Sequence, residues 1–172
     1  LKLFDRVLIS YNDFDQAYEV ASILVEGEWY EHYPRENRQL VLALNMAAIV
    51  AYSRPFLDSK GDLAHNRLPG KALRILSANE KEVHEAVIHD RNTMMAHSDA
   101  DPNIAFPLVM DLNGTKTVIP KNASPYSTPL LPEAMAILQG MSLKLREYCF
   151  ELRQKMEPEL IEFLPEAQFT ME

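Results

Sequence analysis

The feature that most constrains the fold of this 172-residue chain is an uncharged apolar run at residues 40–52. The run reads LVLALNMAAIVAY and places hydrophobic side chains on almost every side of a helix. It is shorter than the roughly 18–20 apolar residues that a helix needs to cross a bilayer. We therefore predict that it is the most buried helix of a helical protein with no membrane span. This helix would occupy about residues 35–52 and end before Pro55.

Two further helices are indicated on either side of this run. Asn12-Asp13 can cap a first helix, which Gly27 would end. Ser77 is followed by Glu80 three residues later, the spacing of a capping box at a helix start. The helix that begins there would continue towards His97.

In the second half of the chain the spacing of hydrophobic residues changes from helix-like to strand-like and then back to helix-like. Two strand-like runs flank Asn113-Gly114, a pair that suits a two-residue type I′ turn, so a β-hairpin is expected at about 107–120. A last long helix would begin near Pro132 and break at Pro158, with apolar residues at spacings of three and four between them. Between the second and third helices, residues 55–77 favour a loop with at most a short helix near 71–76.

These elements predict a mainly α fold, a bundle of four helices with one small hairpin inserted before the last. Residues 1–157 would form a single domain and residues 158–172 an acidic C-terminal tail. The net charge is −8, which argues against a general nucleic-acid coat. Basic residues nevertheless cluster from Arg54 to Arg74. A local site for an anion there is compatible with the negative net charge of the whole chain. The single Cys149 and the absence of a secretory signal favour a cytoplasmic protein.

Ionisable residues gather at the end of the third predicted helix. A helical wheel at about 100° per residue sets Val83, Val87 and Met94 on one apolar stripe. Asp90 falls within that stripe, and Arg91 and His97 fall on its two margins. Burying a charge is costly unless it is paired, so these groups must meet partners or water. A cleft, a polar subunit interface or ordinary structural ion pairs would each satisfy them.

The string Arg91-Asn92-Thr-Met-Met-Ala-His97 resembles the Arg…His motif of HEPN domains. Together with the Ala-Tyr-Ser-Arg-Pro-Phe turn at 51–56, it is similar to a group of uncharacterised bacterial HEPN-like proteins. In helix order the resemblance spans about residues 36–157. It implies RNA cleavage without a metal or other cofactor, in a cleft that two protomers share. Such a protein would act in toxin–antitoxin or defence systems, with RNA or a nucleotide as ligand and an antitoxin or defence protein as partner.

The resemblance also implies a role for each residue. His97 would be the general base or acid, Arg91 would stabilise charge on the phosphate, and Asn92 would orient the histidine or hold the backbone. On an ideal helix Arg91 and His97 lie about 120° apart, so one chain alone holds them awkwardly and a homodimer is expected. Asp90 would orient its neighbours.

Other readings of these residues remain open. Arg54 and Tyr52, at the end of the second helix, are candidates for binding a substrate phosphate. His84 and His89 are five residues apart, which misses the spacing of helical zinc sites, so no metal is expected. One alternative function is a non-catalytic HEPN-like module that binds nucleotides or proteins. A second alternative is a helical oligomerisation protein whose polar residues only satisfy one another.

Overall fold

The computed structural model describes residues 2–27, 29–30, 37–58, 67–95, 105–112, 114–122 and 129–163. The described chain is mainly helical, with one small antiparallel hairpin before the last long helix. Its helices and strands are α1 (Lys2–Glu26), α2 (Arg38–Ser53), α3 (Ala78–Met95), β1 (Ala105–Leu112), β2 (Thr115–Asn122) and α4 (Pro132–Leu160). Short 3₁₀ turns follow at Arg54–Phe56, Gly70–Ile75 and Ile161–Phe163.

The four helices form a closed ring, in which α1 packs on α2 and α4 while α3 packs on α2 and α4. Cross-helix bonds show that α1 and α4 are antiparallel. Arg146 donates to Asp15 at 2.7 Å, and Gln139, earlier in α4, donates to Ser22, later in α1, at 2.9 Å. The predicted four-helix bundle with an inserted hairpin is thus the observed architecture.

The core lies between the four helices and centres on an aromatic cluster. Phe14 of α1, Tyr52 of α2 and Phe56 of the following turn have ring centroids 5.6–5.9 Å apart. Aromatic pairs at this separation contribute beyond their buried area. Other fully buried core side chains are Val7, Leu24, Val41, Ile49, Val87, Met135, Leu138, Met141 and Leu145.

The predicted start of the first helix was wrong. Asn12 and Asp13 lie inside α1, which begins ten residues earlier at Lys2. Phe4 and Val7 are buried about two turns and about one turn before Ser10, so the apolar face already exists upstream of the expected cap. Asp13 is held by a distant arginine instead of capping a helix. The end of α1 at Glu26, before Gly27, agrees with the prediction.

The apolar run does form α2, but α2 is not buried on every side. Leu40 and Met46 are 47% and 42% exposed, although the opposite face is fully packed. The helix begins at Arg38, later than expected, and Pro55 follows it in a 3₁₀ turn. The short helix near 71–76 is a 3₁₀ turn at Gly70–Ile75.

The hairpin has the predicted position and loop length, and Asn113 of the predicted turn lies outside the described residues. Leu112 pairs with Thr115, which leaves the two-residue loop that an Asn-Gly pair suits. Gly114 has a φ of 87°, a left-handed conformation that glycine adopts without steric cost. The strands are longer than expected and span residues 105–122.

The expected break at Pro158 was also wrong, because α4 continues through this proline to Leu160. A proline so close to the helix end removes one backbone hydrogen bond from an exposed final turn, where water replaces it. The acidic tail after residue 163 lies outside the described residues. None of the described helices is long and apolar enough to cross a membrane.

Candidate functional site

The candidate site is at the C-terminal end of α3, and the start of that helix fixes its position. The Glu80 carboxylate accepts a bond from the Ser77 backbone N–H at 2.8 Å, and the Ser77 hydroxyl accepts one from the Glu80 N–H at 3.3 Å. This is the predicted capping box. Glu80 also pairs with Lys144 of α4 at 2.6 Å, and this bond lowers the pKa of the carboxyl. The capping residue therefore also ties α3 to α4.

One turn further along α3, a buried histidine ties the helix to α2. The Tyr52 hydroxyl lies 2.9 Å from His84 Nδ1 and 3.7 Å from the sulfur of Met141 in α4. The Phe56 ring meets the imidazole edge-on, with centroids 4.6 Å apart. His84 is thus in contact with Tyr52 of α2 and with Phe56 of the 3₁₀ turn after α2.

Burial sets the protonation of this pair. It lowers the pKa of His84 and raises that of Tyr52, and the nearby Glu80 charge raises the Tyr52 value further. Both groups are consequently neutral at pH 7. A neutral imidazole hydrogen-bonded to a neutral phenol inside the core does not exchange protons with a solvent-borne substrate. We assign His84 and Tyr52 to positioning α3, and Tyr52 does not reach a substrate phosphate.

Arg91 continues the same face of α3. Glu80, His84 and Val87 are buried at spacings of four and three, and Arg91 is the next position at four. Its guanidinium is partly exposed, and Nη1 donates to the Asn92 side-chain oxygen at 3.1 Å. No described carboxylate lies within ion-pair distance of it. The Arg91 guanidinium is thus hydrogen-bonded to a neutral amide near the C-terminal end of α3.

The buried face is turned by about 50° from the stripe expected on the wheel. Val87 belongs to it as predicted, but its other members are Glu80 and His84 instead of Val83. Arg91 is accordingly in line with the buried face, and the half-buried Asp90 lies to one side. The helical wheel took only apolar residues into account, so it did not predict a buried face that includes the polar side chains of Glu80 and His84.

His97 lies outside the described residues, two positions after the last residue of α3. The structure therefore places Arg91 and Asn92 together at the helix end. The pairing of Arg91 with His97, and the two-protomer cleft, stay predictions.

Arg54 is engaged elsewhere. Its Nη1 donates to Asp13 at 3.3 Å and to Gln16 at 3.1 Å, both on α1. Asp13 is 8% exposed, and burial raises its pKa, while the Arg54 bond acts in the opposite direction. An arginine that compensates a buried carboxylate is poorly placed to bind a phosphate as well.

Sequence reasoning missed the residues that hold α3 in place. His84 was considered only as a metal ligand, and Lys144 not at all. A signal for His84 was available, because it lies four residues after Glu80 and three before Val87 on one helical face. No group of three or more His, Cys, Asp or Glu side chains in the described ranges is arranged to hold a metal ion.

Comparison with known proteins adds no family. No protein-family model matches the chain, and no significantly similar curated protein or solved structure was found.

Proposed function

We propose that this protein is a metal-independent endoribonuclease of the HEPN type, with a site that Arg91 and His97 of two protomers form together. One observation supports it most directly. Among the described residues, the Arg91 guanidinium near the C-terminal end of α3 is bonded to a neutral amide and pairs with no carboxylate. Its charge is therefore available to an incoming phosphate.

The chemistry follows from the residue types. One His97 would take the proton of a ribose 2′-OH as its oxygen attacks the phosphorus, and a second would give a proton to the departing 5′ oxygen. The products are a 2′,3′-cyclic phosphate and a 5′-hydroxyl. Arg91 would stabilise the charge that develops on the phosphate oxygens, which its fixed fork of donors suits.

Asn92 contributes by holding the Arg91 guanidinium through its side-chain oxygen. Because an ideal helix would separate Arg91 from His97 by about 120°, the proposal needs two copies of the chain. A homodimeric RNase of this kind fits a cytoplasmic toxin or defence protein that a partner protein keeps in check.

The proposal is tested with the purified full chain and a set of single- and double-stranded RNAs in the presence of a chelator. Cleavage should leave 2′,3′-cyclic phosphate ends, and Arg91→Ala and His97→Ala should each reduce the rate by about 10²–10⁴-fold. Arg74→Ala and His89→Ala are the matched controls, because both residues are exposed and near α3 or on it. They should leave the rate unchanged.

Each other outcome has its own meaning. RNA left intact by the wild-type chain contradicts the enzymatic proposal. RNA binding that Arg91→Ala abolishes, without cleavage, supports the non-catalytic binding module instead. If the chain neither binds nor cleaves RNA, the remaining candidate is the helical oligomerisation protein.

A further inference from the structure

One segment of the chain lies along α4 without forming a long helix of its own. It is Arg67–Leu76, which comes just before α3 in the chain, and we call it the strap. Its 3₁₀ turn packs on α4, where Lys71 and Ile75 line small cavities together with Tyr148 and Glu151. Its buried side chains are Leu68, Ala72 and Leu76. These side chains anchor the strap to the bundle.

The strap covers a part of α4 that α3 does not reach. Lys144 of α4 pairs with Glu80, the third residue of α3. Tyr52 contacts both His84 and Met141, so a later residue of α3 is level with an earlier residue of α4, and the two helices are antiparallel. Residues of α4 more than about one turn beyond Lys144 therefore lie past the start of α3.

The same part of α4 lies at the end of α2. Arg54, the residue after α2, bonds to Asp13 of α1, and Asp15 of α1 bonds to Arg146 of α4. Of the described elements, α1, the turn after α2 and the strap are thus left to cover Cys149. Cys149 is fully buried even so, and the strap lies along the α4 residues on both sides of it. The strap therefore forms part of the cover of Cys149.

The closed strap confines an unpaired hydroxyl. Ser10 of α1 is fully buried, and its Oγ has no hydrogen-bond partner among the described residues. Because Ser10 precedes Asp13, it lies beyond the end of α2, on the part of the bundle that the strap closes. Arg6, one turn earlier, donates to the Leu57 carbonyl oxygen at 3.0 Å in the same region. A buried unpaired hydroxyl is unfavourable, and opening the strap would return it to water.

The edges of the strap are weakly held as well. Cavities of about 250 and 230 Å³ lie between the strap and α4, so this contact is not closely packed. At the start of the strap, the Leu68 N–H donates to the Pro55 oxygen at 2.7 Å, and Arg67 pairs with Asp58 at 2.9 Å. Both side chains of this ion pair are more than 60% exposed, so the pair contributes little to closure.

We propose that the strap is a conformational device that opens and closes as a unit while the four helices stay folded. Opening exposes Cys149 and hydrates Ser10. The strap swings from its Leu76 end, because the capping box of Ser77 and Glu80 ties that end to α3. Local opening of this kind needs less free energy than global unfolding. The proposal does not depend on RNA cleavage.

Cys149 is the only cysteine of the chain, so its reaction with a thiol reagent reports on the opening. The full chain is treated with 5,5′-dithiobis(2-nitrobenzoate) at a series of urea concentrations. We expect a labelling rate that changes less than about twofold at low urea and rises steeply only near the unfolding transition. A rate that follows the free energy of global unfolding at every urea concentration overturns the proposal.

Loss of an anchor should favour the open form. Leu68→Ala should raise the labelling rate without urea at least about tenfold, because it removes buried contacts that only the closed strap makes. Leu24→Ala is the matched control, since Leu24 is as deeply buried but lies at the opposite end of the bundle. It should lower the global stability but change this rate less than about twofold. Equal effects of the two substitutions on the rate overturn the proposal.

A stabilising variant guards against misfolding. Ser10→Ala should slow the labelling of Cys149 at least about threefold, because the closed form then no longer confines an unpaired hydroxyl. Ser142→Ala is its control. This buried hydroxyl is bonded to the Leu138 oxygen at 2.7 Å, so its removal gives a similar helix propensity but should not slow the labelling. A rate in Ser10→Ala at or above that of the wild type overturns the proposal.

Discussion

The Tyr52 hydroxyl lies 2.9 Å from His84 Nδ1 and so joins α2 to α3 inside the core. The same hydroxyl donates to the Met141 sulfur, which extends the link to α4. The bond to His84 uses one proton, which the phenol supplies to Nδ1 in one histidine tautomer and Nδ1 supplies to the phenol oxygen in the other. The helix that carries Arg91, α3, is positioned by the hydrogen bond between Tyr52 and His84, and this is testable without knowing the substrate.

Removal of the Tyr52 hydroxyl should destabilise the fold. Tyr52→Phe leaves a buried imidazole nitrogen without its partner, at a cost of about 1–3 kcal/mol in the free energy of unfolding. Urea denaturation measures this cost. Tyr148→Phe is the control, because that residue is only partly buried, and its loss should be below about 0.5 kcal/mol. Equal losses would show that the Tyr52–His84 bond adds nothing specific.

The free energy of unfolding should fall as the pH drops below about 6.5, the ordinary pKa of histidine. Burial lowers the pKa of His84 in the folded chain, so protons bind His84 first in the unfolded chain and favour unfolding. The contribution of His84 to stability is fully present above the pKa that His84 has in the unfolded chain. It is lost as the pH falls towards the lower pKa that His84 has in the folded chain. Urea denaturation at several pH values measures the slope.

His84→Asn isolates this contribution, because the difference from wild type cancels other groups such as Asp13. The raised pKa of Asp13 acts in the opposite sense, giving stability at low pH that is lost as the pH rises through its folded value. The variant should show a shallower slope below about pH 6.5. A wild-type slope in His84→Asn contradicts the assignment.

Local signals in the sequence predicted the elements well. Ser77 with Glu80, Asn113-Gly114 and Pro132 each act within a few residues, and the elements that they predicted formed where expected. Contacts between distant residues were not predictable in this way. Arg54 and Asp13 are 41 positions apart, and nothing in either neighbourhood indicates the other.

The burial of α2 was also not predictable from its own sequence. Its composition predicted a helix correctly but predicted burial on all sides, which depends on how many neighbours the bundle supplies. The ring of four helices gives α2 only α1 and α3 as close neighbours, so Leu40 and Met46 stay exposed. The candidate site is similar, because Arg91 could be placed on α3 from the sequence but the contact of His84 with Tyr52, 32 positions away, could not.

Glu80 should matter more to stability than its partner Lys144. Glu80→Ala removes both the bond to the Ser77 N–H and the pair with Lys144, and we expect a loss of about 1–2 kcal/mol. Lys144 is half-exposed, so Lys144→Ala should cost less than about 1 kcal/mol. Chemical denaturation of both variants and of the double variant separates the two contributions. Equal losses for the single variants would mean that the capping bond contributes little.

Arg54 should contribute to stability and not to RNA binding. Arg54→Ala removes the hydrogen-bonded cation of the buried Asp13 carboxylate and leaves only the nearby charge of Arg6, and we expect a loss of about 1–3 kcal/mol at pH 7. Asp13→Asn removes the stranded charge, so the same arginine substitution should cost less than half as much in that background. Denaturation of the four chains measures the coupling. RNA affinity, measured alongside, should be unchanged by Arg54→Ala at temperatures where the variant is folded. A loss of affinity with additive stabilities would instead return Arg54 to the phosphate-binding role that the sequence suggested.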